Sequence, residues 1–265
     1  MNQPQTEWAL ALFNRSVLKQ AKYRKLLELL DDPAGKRSLD LGADNGVISY
    51  LLRRRGGEWA SADLDPAAVE SIRGLVGEEV YQLNGGPTAF APASFDQIVI
   101  VDLLEHLSND REFIGDMARI LKPGGTLIIN VPHLKPHSLL NRFRHRIGLT
   151  DEWHGHLRPG YDLKSLRQLL EPKFMIERSI TYSGTFSELI DTGLNGGYEL
   201  LGRRKAGAQG SSKGSVVTRA DLEKYRKQFR LLTALYPLLW AVAKLDLLLP
   251  LQQGYKLMVK AKLVG

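Results

Sequence analysis

Cysteine is absent from all 265 residues. The chain therefore forms no disulfide, holds no thiolate-bound zinc or iron–sulfur cluster, and uses no cysteine nucleophile. That absence suits a reducing compartment. A strong charge imbalance is also missing. The 36 Lys+Arg against 29 Asp+Glu leave a formal +7, too mild by itself to specify nucleic acid or anionic membrane as a partner. Residues 1–6 carry no basic run leading into an apolar stretch, so no secretory signal is expected. The longest uncharged apolar run, 231–243, reads as too short to span a bilayer and contains Pro237. No internal repeat is visible. The remaining composition excludes disordered and fibrous classes, and the length suits one α/β domain with an appendage, or two small domains.

What is present is an alternation of strand and helix signals. Apolar spacing predicts one helix over 8–30, then strands at 38–41, 59–63, 80–83, 95–101, 126–131 and 174–181. Helices are predicted between them at 47–52, 65–75, 109–121 and 162–170. Asp65-Pro66 gives an N-cap and first-turn pair, and Asn109 with Glu112 resembles a capping pair. The segment 95–101 is apolar enough to be buried on both faces. Strands separated by helices imply a parallel, doubly wound sheet. Residues 255–264 alternate as a last strand returning to it. The expected organisation is an N-terminal helical extension (1–35), a core (36–182), a helical lid (183–253) with a flexible loop at 202–215, and the final strand (254–265). Thr218 and Asp221 are predicted to cap a helix starting near Arg219, ahead of the apolar 229–251.

The segment 38–46 (SLDLGADNG) runs from a strand through a glycine turn into a helix. Gly42 and Gly46 let backbone approach a ligand, and the helix start offers free N–H groups. Asp44 and Val47 stand where a dinucleotide fingerprint needs its second and third glycines, which argues against NAD. Asp40 suits a cationic amino group. Asp63, ending the second strand, can accept from ribose hydroxyls.

With these parts the chain resembles the class I S-adenosylmethionine (SAM) dependent methyltransferases over roughly residues 36–182. The likeness rests on LDLGADNG (39–46), SADLDP (61–66), FDQIVIVDLLEHL (95–107) and LKPGGTLIINVP (121–132). The last two look like the small-molecule branch that includes ubiquinone-type O-methyltransferases. The resemblance implies an α/β fold, a Rossmann-like, doubly wound, mostly parallel sheet; the strand pattern makes it seven-stranded, with a helical lid inserted before the last strand. It implies SAM as cofactor, with Asp40, Gly42 and Gly46 lining the methionine end and Asp63 on the ribose. Leu64 would pack on adenine, and Asp102 would sit near the methionine. Two departures stand out. Asp44 replaces the usual middle glycine, and Asn84 stands where an Asp often accepts from the adenine amino group.

Methyl transfer needs an aligned acceptor and, for a high-pKa oxygen, a base. Asp102-Leu103-Leu104-Glu105 replaces the turn of adenine amino-methyltransferases, and the missing cysteine excludes covalent C5-pyrimidine chemistry. All 6 histidines fall between 106 and 156. His133 follows the fifth strand, and 151–161 packs His154, His156, Arg158 and Tyr161 into one connection. The expected roles are His154 or His156 as base, with His133 next, and Arg158 holding the acceptor, with Tyr161 beside it. The alternative is that Trp153, Arg158 and Tyr161 pin the loop while the histidines cap backbone groups. His106 reads as structural. His154 and His156 with Asp151 or Glu152 lack a fixed third ligand, so no metal is expected.

The expected function is O-methylation of a small or lipid-linked acceptor, sugar- or quinol-like. The alternatives are an RNA or protein methyltransferase, or a non-catalytic SAM-binding scaffold. No basic stripe interleaved with aromatics appears, so no nucleic acid partner is expected. The apolar 229–251, with Lys213, Arg219, Lys224, Arg226, Lys227 and Arg230 upstream, reads as own-core or dimer packing or as a peripheral membrane contact. The corresponding location is cytoplasmic, peripheral to the inner face of the membrane.

Overall fold

The computed structural model describes residues 3–135, 138–206, 226–249 and 252–264. Phe95–Val101 forms a central strand (β4) because its apolar residues serve both sides of a sheet. Ile98 and Ile100 pack into one core and Val99 and Val101 into the other, as the two-residue period of a strand requires. Around it lie β1 (Arg37–Leu41), β2 (Glu58–Asp63), β3 (Val80–Gln82), β5 (Leu121–Pro132), β6 (Phe174–Tyr182) and β7 (Lys256–Leu263). Their order is β3-β2-β1-β4-β5-β7-β6. The first five are parallel, and β7 runs antiparallel between β5 and β6. This is the mostly parallel, doubly wound seven-stranded sheet expected, with the last strand returning after helical chain.

Among the described residues the α-helices are α1 (Gln3–Phe13), α2 (Val17–Leu29), α3 (Val47–Arg53), α4 (Pro66–Val76), α5 (Asp110–Ile120), α6 (Leu139–Arg146), α7 (Leu163–Leu170), α8 (Thr185–Ala206) and α9 (Arg226–Lys244). On the Ile98 side, α5 buries Phe113, Ile114 and Met117, and α7 buries Leu166 and Leu170. On the Val99 side sit Trp8, Phe13, Leu26 and Leu29 of the first two helices, with Ile48 and Leu52 of α3. Each such side chain, fully buried, contributes about 1.5–3 kcal/mol.

Several elements differ from the expectation. The single helix over 8–30 is two. Ser16 adopts an extended conformation and its hydroxyl accepts from the Lys19 N–H at 3.2 Å, restarting the helix. Asn109 does not cap α5 with its side chain; its amide donates to Gly85 O at 3.0 Å. The better cap is one the pattern missed: Asp162 and Ser165 form a reciprocal capping box on α7. The expected loop over 202–215 begins inside α8, which runs to Ala206. Its later residues, the Thr218–Asp221 cap, and Lys213, Arg219 and Lys224 lie outside the described residues. The count over 231–243 also fell short. Helix continues through Lys244 into a 3-10 turn (Leu245–Leu248), so Phe229–Leu248 is long and apolar enough to cross a membrane by length and composition.

Candidate functional site

Sequential strands diverge to opposite sides between β1 and β4, and a doubly wound sheet binds ligands in the crevice at such a switch point. The turn after β1 forms one wall. Gly42 has φ 78°, and a Cβ there would lie 2.2 Å from Val101 O, so only glycine lets the turn pass the end of β4. Asp44 takes the left-handed φ of 54° that short polar residues tolerate. It is exposed and paired with Lys19 of α2 at 2.8 Å. Gly46 caps α3 at φ 82°. Asp63 ends β2 beside this turn, where Gly42 N–H donates to Ala62 O at 3.1 Å. Its carboxylate accepts from Asp65 N–H at 3.1 Å, and burial pushes its pKa up. Leu64 is half-buried, and Asn84 is exposed with its side-chain oxygen on Gly86 N–H.

Asp40 is placed differently from its expected role. Its oxygens accept from Ser49 Oγ at 2.5 Å and Ser61 Oγ at 2.6 Å, and Arg53 stands 3.7 Å away. The residue is buried. It braces β1, β2 and α3 from inside rather than lining the crevice.

The other wall begins where β4 ends. Asp102, at φ 46°, receives Lys22 of α2 on one oxygen, and Lys256 of β7 at 2.8 Å and Asn130 of β5 at 3.0 Å on the other. Tyr182 donates to Asn130 at 2.6 Å, completing a chain from β6. Burial opposes the charge on Asp102, but the two lysines override it and hold its carboxyl well below the usual range. Three residues on, Glu105 is wholly buried, and neither carboxyl oxygen has a partner among the described residues. Burial, reinforced by the Asp102 charge, pushes its pKa up to about 8.

The 151–161 connection folds back onto this loop. Leu157 N–H donates to Glu105 O at 2.8 Å, and His106 Nδ1 donates to Gly155 O at 2.8 Å. A carbonyl only accepts, so that imidazole proton is on Nδ1. His156 meets His106 edge-on at 5.0 Å and stacks with His154 at 5.2 Å. Glu105, His106 and His156 thus bring three ligand-type atoms within 4.8 Å, a donor set able to hold a divalent ion. His154 Nε2 accepts from Arg144 at 3.2 Å. Arg158 pairs with Asp110 and donates to Leu107 O at 2.6 Å, and Tyr161 donates to Asp110 at 2.8 Å. Those two side chains therefore hold the connection against α5, as the loop-pinning alternative describes. His133 donates from Nδ1 to Gly254 O at 2.8 Å and forms a bridge to Tyr161. Gly160 makes that bridge possible, since a Cβ there would lie 2.3 Å from Pro132 O. The structure thus gathers His154 and His156 beside the end of β4 and leaves His133, Arg158 and Tyr161 engaged in the scaffold.

Lys22, Lys256, Asn130, Asp110 and Glu105 were not foreseen. The first three arrive from segments remote in sequence. Glu105 did carry a signal, an acid enclosed by Leu103, Leu104 and Leu107. A depression of about 360 Å³ lined by Arg37, Glu58, Trp59, Ala60 and Glu79 lies at the amino ends of β1 and β2, away from this crevice.

Carboxylates at or just past the ends of three strands, Asp63, Asp102 and Asp44, suit ribose hydroxyls and a cationic ligand. They do not suit a pyrophosphate. With the sheet order, they define the class I SAM-dependent methyltransferase fold, and the residues fit that cofactor. The chain matches the methyltransferase domain family over residues 13–172 and belongs to it. It is 32% identical over 118 residues to a demethylmenaquinone methyltransferase of Tropheryma whipplei, covering 43% of this chain and 49% of that protein. It is 32% identical over 123 residues to a ubiquinone biosynthesis O-methyltransferase of Hahella chejuensis, covering 43% and 52%. The chain spans about half the length of these curated relatives. A putative methyltransferase from Bacillus halodurans C-125 shares the fold at TM-score 0.56 and 14% identity, over 92% of this chain and 99% of that one. The cyclase SpnF does so at 0.59 and 18%, over 95% and 84%. At such identities the shared property is the fold.

Proposed function

We propose that this protein transfers the methyl group of SAM to an oxygen of a small or lipid-linked, quinol-like acceptor. The cofactor supplies a methyl already activated on a sulfonium, leaving the chain to position the acceptor and receive its proton. The observation that carries this reading is the gathering of Glu105, His106 and His156 beside Asp102, at the crevice edge. The imidazole groups there can accept a hydroxyl proton as the oxygen attacks. The β1 turn and Asp63 hold the adenosyl part on the other side. The two quinone-pathway relatives support the acceptor class.

The test is incubation with methyl-labelled SAM and hydroxylated quinols bearing short or long isoprenoid tails. The expected product is a labelled methyl ether. Label on a ring carbon would overturn the oxygen assignment, and label in RNA or protein instead of any quinol would overturn the acceptor class.

A further inference from the structure

The helix α9 is apolar on two faces, and the structure uses one of them. Phe229, Tyr236, Leu239 and Val242 recur at helical spacing and are half-buried. Phe229 lies under Arg15, with the guanidinium 5.9 Å from the ring, and Tyr236 bonds Gln20 of α2 at 3.1 Å. Past the helix, Asp246 accepts from Phe186 N–H at 2.8 Å and Ser187 N–H at 3.1 Å, at the start of α8. These tethers, at the beginning, middle and end of Phe229–Leu248, lay the segment along the protein body. It does not project as a span.

Among the described residues, nothing covers the outward face. Leu238 is 60% exposed, Leu247 72% and Leu248 74%, and Leu231, Leu235 and Trp240 are exposed beside them. Charge on the helix itself has one sign. Arg226 to Lys244 contains Arg and Lys but no Asp or Glu, and the Asp246 that follows is spent on α8. Lys244 places its ammonium 5.1 Å from the Trp240 ring centre, a cation and an indole side by side as at a membrane–water boundary. Among the described residues of this helix, the exposed surface combines apolar side chains with the cations Arg230 and Lys244 and carries no acid, which complements an anionic lipid surface.

We infer that α9 and the turn after it form a membrane-docking surface that lies flat on anionic lipid. The surface stands on its own geometry. Its relevance to a lipid-linked acceptor rests on the proposed function, and its position fits that use: Gln20, which holds Tyr236, lies between the two α2 lysines that reach the crevice acids Asp44 and Asp102. An acceptor headgroup rising from the bilayer would meet the crevice at the edge of the docked face.

The experiment is flotation of the whole protein, without SAM or acceptor, on phosphatidylcholine vesicles with and without phosphatidylglycerol. The expected result is binding that needs the anionic lipid, weakens with salt, and falls about tenfold or more in Leu247→Glu/Leu248→Glu. Both positions are exposed, so calorimetric SAH binding of the variant should match the parent and separate this surface from the methyl-transfer site. Absence of vesicle binding would overturn the inference, as would binding indifferent to the two glutamates. So would a concentration-dependent dimer abolished by them, which would assign the face to a second copy.

Discussion

Around β1 and β2, nearly every residue that meets the crevice comes from within a few residues of a strand end: Gly42, Asp44, Gly46, Asp63 and Leu64. Around β4 the same crevice is built from far apart. Lys22 comes from α2, Asn130 from β5, Tyr182 from β6, Lys256 from β7 and His156 from a loop. The first wall is a local turn with acids attached. The second is a convergence of tertiary neighbours on Asp102 and Glu105. A binding turn can be written in nine consecutive residues, whereas the acceptor side exists only once the sheet has closed.

If the second wall carries the chemistry, changes there should strike turnover and spare cofactor affinity. The largest effect is expected at His156. Replacing it by Ala should lower kcat/KM about 10²–10⁴-fold, leaving SAM binding within a few-fold. Near-normal turnover in His154→Ala, His156→Ala and the double variant would instead make these rings structural, like Arg158 and Tyr161.

Glu105 sharpens the contrast through stability. Its carboxyl is moved from 4.5 up to about 8 in the folded protein. Between those values the folded state binds a proton that the unfolded state has released, so stability falls as pH rises through that window. Glu105→Gln should flatten the slope, measured by urea unfolding at about pH 5 and about pH 8. An unchanged slope would mean that the carboxyl is not isolated as described.

A more modest effect is expected from the pins. Asp110→Ala removes the partner shared by Arg158 and Tyr161. It should cost about 1.5–3 kcal/mol of unfolding free energy. A loss of only a few tenths would show that the 151–161 connection is held by other contacts.

Legibility in the sequence followed the same division. The sheet was readable because buried parallel strands are short apolar runs punctuated by Gly and Pro, as in 95–101 and 121–132. The cofactor turn was readable because its glycines and acids sit at fixed offsets. Asp40 was misplaced because position alone does not tell which way a strand-end carboxylate turns; Ser49 and Ser61 decide it. The helix 8–30 was misjudged because tertiary packing, not apolar spacing, lets Ser16 break it. The sequence points Arg158 at the acceptor because Asp110, nearly fifty residues away, is its neighbour only in the folded chain.

The acidic turn and Asp63 are expected to bind an adenosyl sulfonium. Isothermal titration of the whole protein with SAM and S-adenosylhomocysteine tests this binding most directly. The expected result is saturable binding of both, weakened by about 1.5–3 kcal/mol in Asp63→Ala, with NAD giving no comparable heat. Binding of neither ligand, or NAD binding of equal strength, would show that the turn and Asp63 do not form an adenosyl-sulfonium site.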